Sequence, residues 1–375
     1  METKKFYQKC GSMLKDVKEK KTGIKTACYK TQMPGKYMAV LSNILRRYSV
    51  LEKVVNVLGD KIRCKYASIV LCYEILYGCR RENMKFNKKL VKEVKDAYAS
   101  LGIEEKKIER EKEVAYLRLN TLKADRSMVS TLMLEETIIP DVYKVLEKVN
   151  WSKLKSYNEG CFFIQDLSSC MAAHVLSPPK NSVVIDACAS PGNKTTHLSM
   201  VMENTGTIFA VEKDVERFKT LREMVEKSGA ENITTIHGNF LQVSETNSGE
   251  ILAATHILVD PSCSGSGLHP EEEKDQQRIK SLVNFQIQIL DKAMGLPNAK
   301  KVVYTTCSLY EEENEHVVLE CLKKHPQFEV VEALPQWRKR GVPGYAFSDL
   351  VVRCDAETET RGFFLACLRR KSSER

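Results

Sequence analysis

The chain lacks several of the features that would place it quickly. No uncharged apolar run approaches the roughly 20 residues that a membrane-spanning helix needs, and no membrane partner is expected. The N-terminus has no apolar core of the signal-peptide kind; its first thirty residues carry nine lysines instead. The 13 cysteines are scattered, with no C-x-x-C pair and no small secreted framework. That pattern argues against structural zinc or another obligate metal, and for free thiols in a reducing compartment. A soluble intracellular protein is expected. The glycine fingerprint G-x-G-x-x-G is missing, which disfavours a nicotinamide oxidoreductase. Lys194 and Thr195 lack the glycine spacing of a P-loop. There is no haem or flavin signature and no internal repeat.

Charge is unevenly placed. The 375 residues carry a net +9, but residues 1–123 hold +15 and the remainder −6. A basic front on a mildly acidic body suggests a grip for a polyanion attached to a separate working domain, against the alternative of plain solvated helix faces. The length allows about two or three domains, and a hydrophobic content of 43% suffices for a real core.

Residues 1–30 read as mobile or loosely helical. Apolar positions from Tyr37 to Leu58 fit one helical stripe, with Arg46, Arg47 and Lys53 off it. Tyr66 to Tyr77 reads as a second helix ended by Gly78, with Cys79, Arg80 and Arg81 following, and Asn87 to Leu101 as a third. The expected layout is a basic helical domain over 1–110, a small α/β module over 111–159 and a Rossmann-like domain over 160–372. In the module, Val114–Asn120 alternates as a strand, Ser127–Glu136 looks helical and Val142–Val149 is strand-like or irregular. Gly160–Asp166 leads into a helix that Pro178-Pro179 stops. Strands are then expected at 183–186, 207–212, 233–237, 256–260, 301–307, 328–331 and 362–368, alternating with helical segments. That alternation implies a doubly wound parallel sheet covered on both faces, with an irregular insertion at 335–361.

The chain is organised around Val183-Val-Ile-Asp-Ala-Cys-Ala-Ser-Pro-Gly-Asn-Lys-Thr195: strand, tight turn, helix. Small residues let backbone approach a ligand, and amides at the helix start can take its polar groups. A nucleoside-type ligand and a plain structural turn both satisfy this stretch. Glu212 closes the next strand, 26 residues after Asp186, where such folds hold a ribose diol. Arg217 either reaches that ligand or sits in solvent. Asp260-Pro-Ser-Cys-Ser-Gly and Thr305-Thr-Cys-Ser308 put thiols Cys263 and Cys307 at the exits of two further strands. In a doubly wound sheet these strands are commonly neighbours, so two thiols and a carboxylate would face one crevice. A thiolate is a strong nucleophile.

These motifs, with Tyr116-Leu-Arg-Leu-Asn-Thr-Leu-Lys123, Gly160-Cys-Phe-Phe-Ile-Gln-Asp166 and the closing Gly362-Phe-Phe-Leu-Ala-Cys-Leu-Arg-Arg370, resemble the Sun-domain RNA cytosine-5 methyltransferases over roughly residues 110 to 370. The family's commoner Pro-Gly-Gly-Lys loop has Asn193 here. Pro261 and Ser262 stand in place of its commoner Asp-x-Pro-Cys exit. Both departures match the eukaryotic branch that modifies large-subunit ribosomal RNA. Asn239 stands where many members have Asp.

The resemblance implies a class I fold using S-adenosyl-L-methionine. Cys188, Ala189, Ser190, Pro191, Gly192, Asn193 and Lys194 would cradle the methionine part and Glu212 the ribose. Asn239 would meet the adenine, and Arg217 and Asp260 would lie by cofactor or base. Cys307 would be the nucleophile and Cys263 would assist product release, with Asp260 stabilising the adduct. The basic front would hold RNA phosphates without reading sequence, so binding should weaken with salt. The target base must be unstacked to reach the crevice. Large-subunit ribosomal RNA is the expected partner and the nucleus or nucleolus the expected location. Transfer RNA or another RNA is a second substrate class, and an assembly factor with dispensable catalysis a third reading. A DNA cytosine methyltransferase is disfavoured, because no second Thr-Cys-Ser thiol is expected there.

Overall fold

The computed structural model describes residues 2–19, 24–31, 33–59, 64–78, 87–102, 114–243, 249–268 and 274–372. Cys79, Arg80 and Arg81 lie outside them. The chain divides into two compact units, Met1–Lys112 and Glu113–Arg375.

The first unit is helical from its start. Beneath the lysines, Phe6, Cys10, Met13 and Leu14 recur at helical spacing, and all four are buried. They make α1 (Glu2–Lys18) a packed helix instead of a loose tail. After α2 (Ile24–Tyr29), the stripe expected as one helix is two, α3 (Pro34–Leu45) and α4 (Tyr48–Leu58), separated at Arg46 and Arg47. The break lets Leu41 and Ile44 on one helix and Leu51, Val54 and Val55 on the other reach the same core. To that core α5 (Lys65–Leu76) adds Ile69, Val70 and Ile75, and α6 (Lys88–Ser100) adds Val94 and Ala97. The side chain of Asn87 caps α6 by accepting from Lys89 N at 2.9 Å.

The second unit opens with a four-stranded sheet of β1 (Ala115–Leu119), β2 (Leu134–Glu136), β3 (Val142–Val145) and β4 (Phe162–Ile164), in the order β2-β3-β1-β4. The helix expected over Ser127–Glu136 is a single 3-10 turn, Arg126–Val129, followed by edge strand β2. Pairing of Leu134 with Val145 and of Glu136 with Tyr143 outweighs the local helical preference of that stretch. The short α7 (Lys155–Asn158) precedes β4, and α8 (Leu167–Leu176) follows it, capped by Asp166.

The large sheet holds β5 (Val183–Asp186), β6 (Thr207–Glu212), β7 (Ile233–His237), β8 (His256–Val259), β9 (Lys301–Thr306), β10 (Phe328–Val331), β11 (Val352–Cys354) and β12 (Phe363–Arg370). Its order is β10-β12-β9-β8-β5-β6-β7, with β11 also pairing with β12. The strands from β5 to β9 pair in parallel. The last expected strand breaks that pattern: β12 runs antiparallel to both β9 and β10, while β10 keeps the direction of β9. A parallel pair needs a crossover, usually helical; the irregular insertion before β12 contains none, and the chain returns the other way.

Residues alternate between the two faces. Ile257, Val259, Val302 and Tyr304 pack with α11 (Gln276–Met294) and α12 (Glu315–Lys324). Leu258 and Val303 pack on the opposite face with α8 and with α9 (Asn193–Val201). The chain winds outward from β5 to β6 and β7, with α10 (Val215–Ser228) between those two, and then crosses back to β8 and β9. The carboxyl ends of β5 and β8 therefore flank the switch point, where ligands bind in open α/β sheets.

Candidate active site

The turn after β5 is held by its own polar groups. Asp186 is 1% exposed, and its Oδ2 accepts from the Thr195 hydroxyl at 2.7 Å. Its Oδ1 is buried without a hydrogen-bond partner. The peptide amides of Ala187 and Ala189 donate to β8 and β6, at Leu258 O and Val211 O, both at 2.9 Å. Gly192 begins α9 at φ 106°. A Cβ there would also lie 2.9 Å from Met224 Cγ, so both conformation and space require glycine. Beneath the turn, the guanidinium of Arg118, 0% exposed, donates to Asn193 O at 3.3 Å, Thr196 Oγ1 at 3.0 Å and Gln165 Oε1 at 2.8 Å. Burial pulls its pKa down to about 10.

Burial pushes the Asp186 carboxyl up from 3.8 to about 7; the Thr195 hydroxyl opposes the shift, Asp260 adds to it and Lys194 opposes it. The folded state thus keeps this proton more tightly than the unfolded chain. The associated stability is intact below 3.8 and is lost as pH rises through about 7. Asp186→Asn, which cannot ionise, is expected to raise the melting temperature by several degrees more at about pH 8 than at about pH 5. Equal shifts at both pH values in a thermal melt would show that this carboxyl is not what titrates.

Glu212, 4% exposed, sits at the end of β6. Its Oε1 accepts from Asp214 N at 2.9 Å, and its Oε2 lies 3.4 Å from Arg217 Nη2. Arg217 turns inward from the first turn of α10: the same nitrogen donates to Ser190 O at 2.9 Å, and Ser190 Oγ donates to Arg217 O at 2.9 Å. Its Nε is buried without a partner. Pro191 follows Ser190 through a cis peptide bond. Cys188 is half-buried; burial, with Glu212 adding, pushes its thiol upward, away from thiolate. Asn239 caps a 3-10 turn over Phe240–Gln242, its Oδ1 accepting from Leu241 N at 3.2 Å.

Asp260 joins this turn to the thiol segments. Its Oδ2 accepts from Lys194 Nζ at 2.7 Å, and its Oδ1 from the Thr305 hydroxyl at 3.0 Å. The Lys194 ammonium therefore faces this carboxylate. Parallel pairing of β8 with β9 aligns their exits, leaving Cys263 Sγ 3.0 Å from Cys307 Sγ, both half-buried. The loop after β8 is pinned by Gly267 N donating to Cys307 O and by Gly362 N donating to Gly267 O, each at 3.0 Å. A Cβ on Gly362 would lie 2.4 Å from Gly267 Cα. This close approach accounts for the glycine opening the closing motif.

Three residues outside the candidate set shape the site: Thr195 holds Asp186, Thr305 orients Asp260 and Arg118 holds Asn193. Glu313 and Gln286 also lie outside the candidate set. Glu313 stands six residues after Cys307 in the run Glu311-Glu-Glu-Asn-Glu315, whose acidity suggests solvent, yet Glu313, Asn314 and Glu315 are each 0% exposed. The deep burial of Glu315 is explained by Arg353, which donates to its two oxygens at 2.7 Å and 2.5 Å.

The donor set at the first turn fits a nucleoside ligand carrying a cationic centre. Buried carboxylates at the ends of β5 and β6 suit hydroxyl donors and positive charge. The first amides of α9 have no intrahelical acceptor and suit a carboxylate or a ring nitrogen.

Residues 173–369 match the family model described as 16S rRNA methyltransferase RsmB/F. Among curated proteins, the chain is 32% identical to the 25S rRNA (cytosine-C(5))-methyltransferase rcm1 of Schizosaccharomyces pombe, over 97% of this chain and 91% of that protein. It is 33% identical to the 25S rRNA (cytosine-C(5))-methyltransferase NSUN5 of Arabidopsis thaliana, over 88% of this chain and 64% of that protein. Its fold is similar to the crystal structure of a methyltransferase homolog from Pyrococcus horikoshii, with a TM-score of 0.62 and 24% identity over 86% of this chain and 99% of that one.

Proposed function

The chain belongs to the RsmB/F family of ribosomal RNA methyltransferases, and from that premise we propose that it methylates C5 of a cytosine in large-subunit ribosomal RNA, using S-adenosyl-L-methionine. The observation that carries the chemistry is the pair of thiols 3.0 Å apart beside a carboxylate tied to the ligand turn. Both relatives above are named for large-subunit ribosomal RNA, which supports that substrate and, with it, a nucleolar location.

When bound, S-adenosyl-L-methionine supplies an electrophilic methyl group on a sulfonium. Residues 188–194 would line its amino-acid end, Glu212 the ribose diol and Asn239 the base, with Arg217 bracing the turn through Ser190. Cytosine C5 is too poor a nucleophile to take the methyl unaided. The Cys307 thiolate adds to C6, forming an S–C bond and pushing the C5–C6 π electrons toward C5. Asp260, oriented by Lys194 and Thr305, accepts a hydrogen bond from the exocyclic amine and holds the ring in register for that attack. After transfer, the Cys263 thiolate takes the C5 proton; the C–H pair re-forms the double bond and expels Cys307 as thiolate. In this reading residues 1–110 supply phosphate contacts, 111–159 form the RNA-binding module and 160–372 carry the chemistry.

Bisulfite sequencing of RNA from cells with and without the protein tests the assignment. A cytosine of large-subunit ribosomal RNA is expected to lose protection in its absence. Protection that changes only in transfer RNA would move the acceptor to that class, and unchanged protection in every RNA would remove the assignment.

A further inference from the structure

We infer that Glu313 is a positioning residue that sets Cys263 against Cys307 for product release. The inference rests on the two-thiol reading above.

Glu313 is 0% exposed, and its carboxylate is held by neutral donors. Oε1 accepts from Ser264 N at 2.9 Å and from Gln286 Nε2 at 2.9 Å, and Oε2 accepts from the Ser264 hydroxyl at 2.5 Å. A carboxylate only accepts, so it fixes the direction of the Ser264 O–H and leaves that oxygen's lone pairs for other donors. Ser266 N donates to it at 3.3 Å, and the Ser308 hydroxyl stands 3.2 Å away. Ser308 Oγ in turn accepts from Tyr310 N at 3.0 Å and lies 3.1 Å from Ser266 Oγ.

Ser264 and Ser308 are the residues that follow the two thiols. One buried charge thus polarises a hydroxyl chain clamping the residue after Cys263 to the residue after Cys307. Gln286 extends the clamp by donating to Ser262 O at 3.0 Å, on the other side of Cys263. The Glu313 carbonyl is itself fixed, accepting from the Tyr304 hydroxyl at 2.6 Å.

The two thiols depend on this clamp unequally. Cys307 directly follows β9, which is paired on both sides, to β8 and to β12. Cys263 rides a loop whose flanking residues, Ser262 and Ser264, are held by Gln286 and Glu313. Loss of the Glu313 carboxylate therefore displaces Cys263 more than Cys307. Attack by Cys307 persists, whereas removal of the C5 proton and the coupled expulsion of Cys307 slow down. The distinguishing mark is accumulation of a covalent protein–RNA adduct, which a merely structural defect does not produce.

Glu313→Gln keeps the shape, and its amide oxygen can still accept from Ser264 N and Gln286 Nε2, but an NH2 group replaces Oε2 and cannot accept from the Ser264 hydroxyl. It is expected to cut multiple-turnover methylation by about 10- to 100-fold, the scale of a misplaced catalytic group. On a denaturing gel with labelled RNA, its adduct fraction is expected to rise well above the parent's. Ser264→Ala removes the same bond from the other side and is expected to raise the adduct as well, which covers the case in which Glu313→Gln does not fold. Cys263→Ala is the reference for full trapping. If Cys263→Ala traps adduct while folded Glu313→Gln and Ser264→Ala turn over like the parent, or slow without adduct, the role of Glu313 is overturned and the two-thiol reading stands. If Cys263→Ala traps nothing, both fall together.

Discussion

Replacing Cys307 by alanine is expected to abolish methyl transfer, with a loss on the order of 10⁴-fold or more, the scale on which an essential nucleophile is missed. Without the thiolate at C6, cytosine C5 has no means of attacking the methyl carbon. Cys263 is only 3.0 Å away, but it leaves the loop after β8, while Cys307 extends β9 directly. The variant removes one sulfur from a half-buried position, so it should melt close to the parent. The check is transfer of a labelled methyl group to ribosomal RNA, with adduct formation followed in parallel. Full activity in Cys307→Ala would sink the mechanism.

Replacing Cys263 by alanine has the second-largest effect, and one of a different kind. Attack and methyl transfer remain, because Cys307, Asp260, Lys194 and Thr305 are untouched. The step that follows has lost its base, so the enzyme should stall after a single turnover with RNA bonded through Cys307. The expected result is a protein band shifted by the mass of the RNA on a denaturing gel, lost again in the double variant with Cys307→Ala. A Cys263→Ala protein that turns over repeatedly, with no adduct, would assign proton removal to another group.

Much of this site was readable along the chain because its parts are local. A strand ending in Asp186, a small-residue turn and a helix start form one contiguous stretch, and the same holds for Glu212 at the end of β6 and for each thiol at the end of its strand. Short apolar, β-branched runs at regular spacing, alternating with helical segments, announced the doubly wound sheet. The misses share a cause. Ser127–Glu136 follows the pairing of β2 with β3 and not its own propensity. β12 turns antiparallel because the irregular insertion before it provides no crossover helix. The lysines of α1 masked a four-residue apolar stripe that acquires meaning only against the other helices of its unit.

Glu313 marks the boundary between the two kinds of information. Its own neighbourhood is acidic and polar, and local reasoning assigns such a run to solvent. Its partners, Ser264 and Gln286, are 49 and 27 residues away in the chain, and only folding brings their donors to its carboxylate. The sequence by itself determined the parallel part of the sheet, the turn after β5 and the placement of two thiols at strand exits, since those depend on short-range pattern and residue chemistry. The tertiary structure alone decided that the thiols meet at 3.0 Å and that Asp260 links them to the turn through Lys194 and Thr305. It also decided that a buried carboxylate clamps their loops together. Burial and hydrogen-bond partnership between distant segments are properties of the packed chain, and no local pattern encodes them.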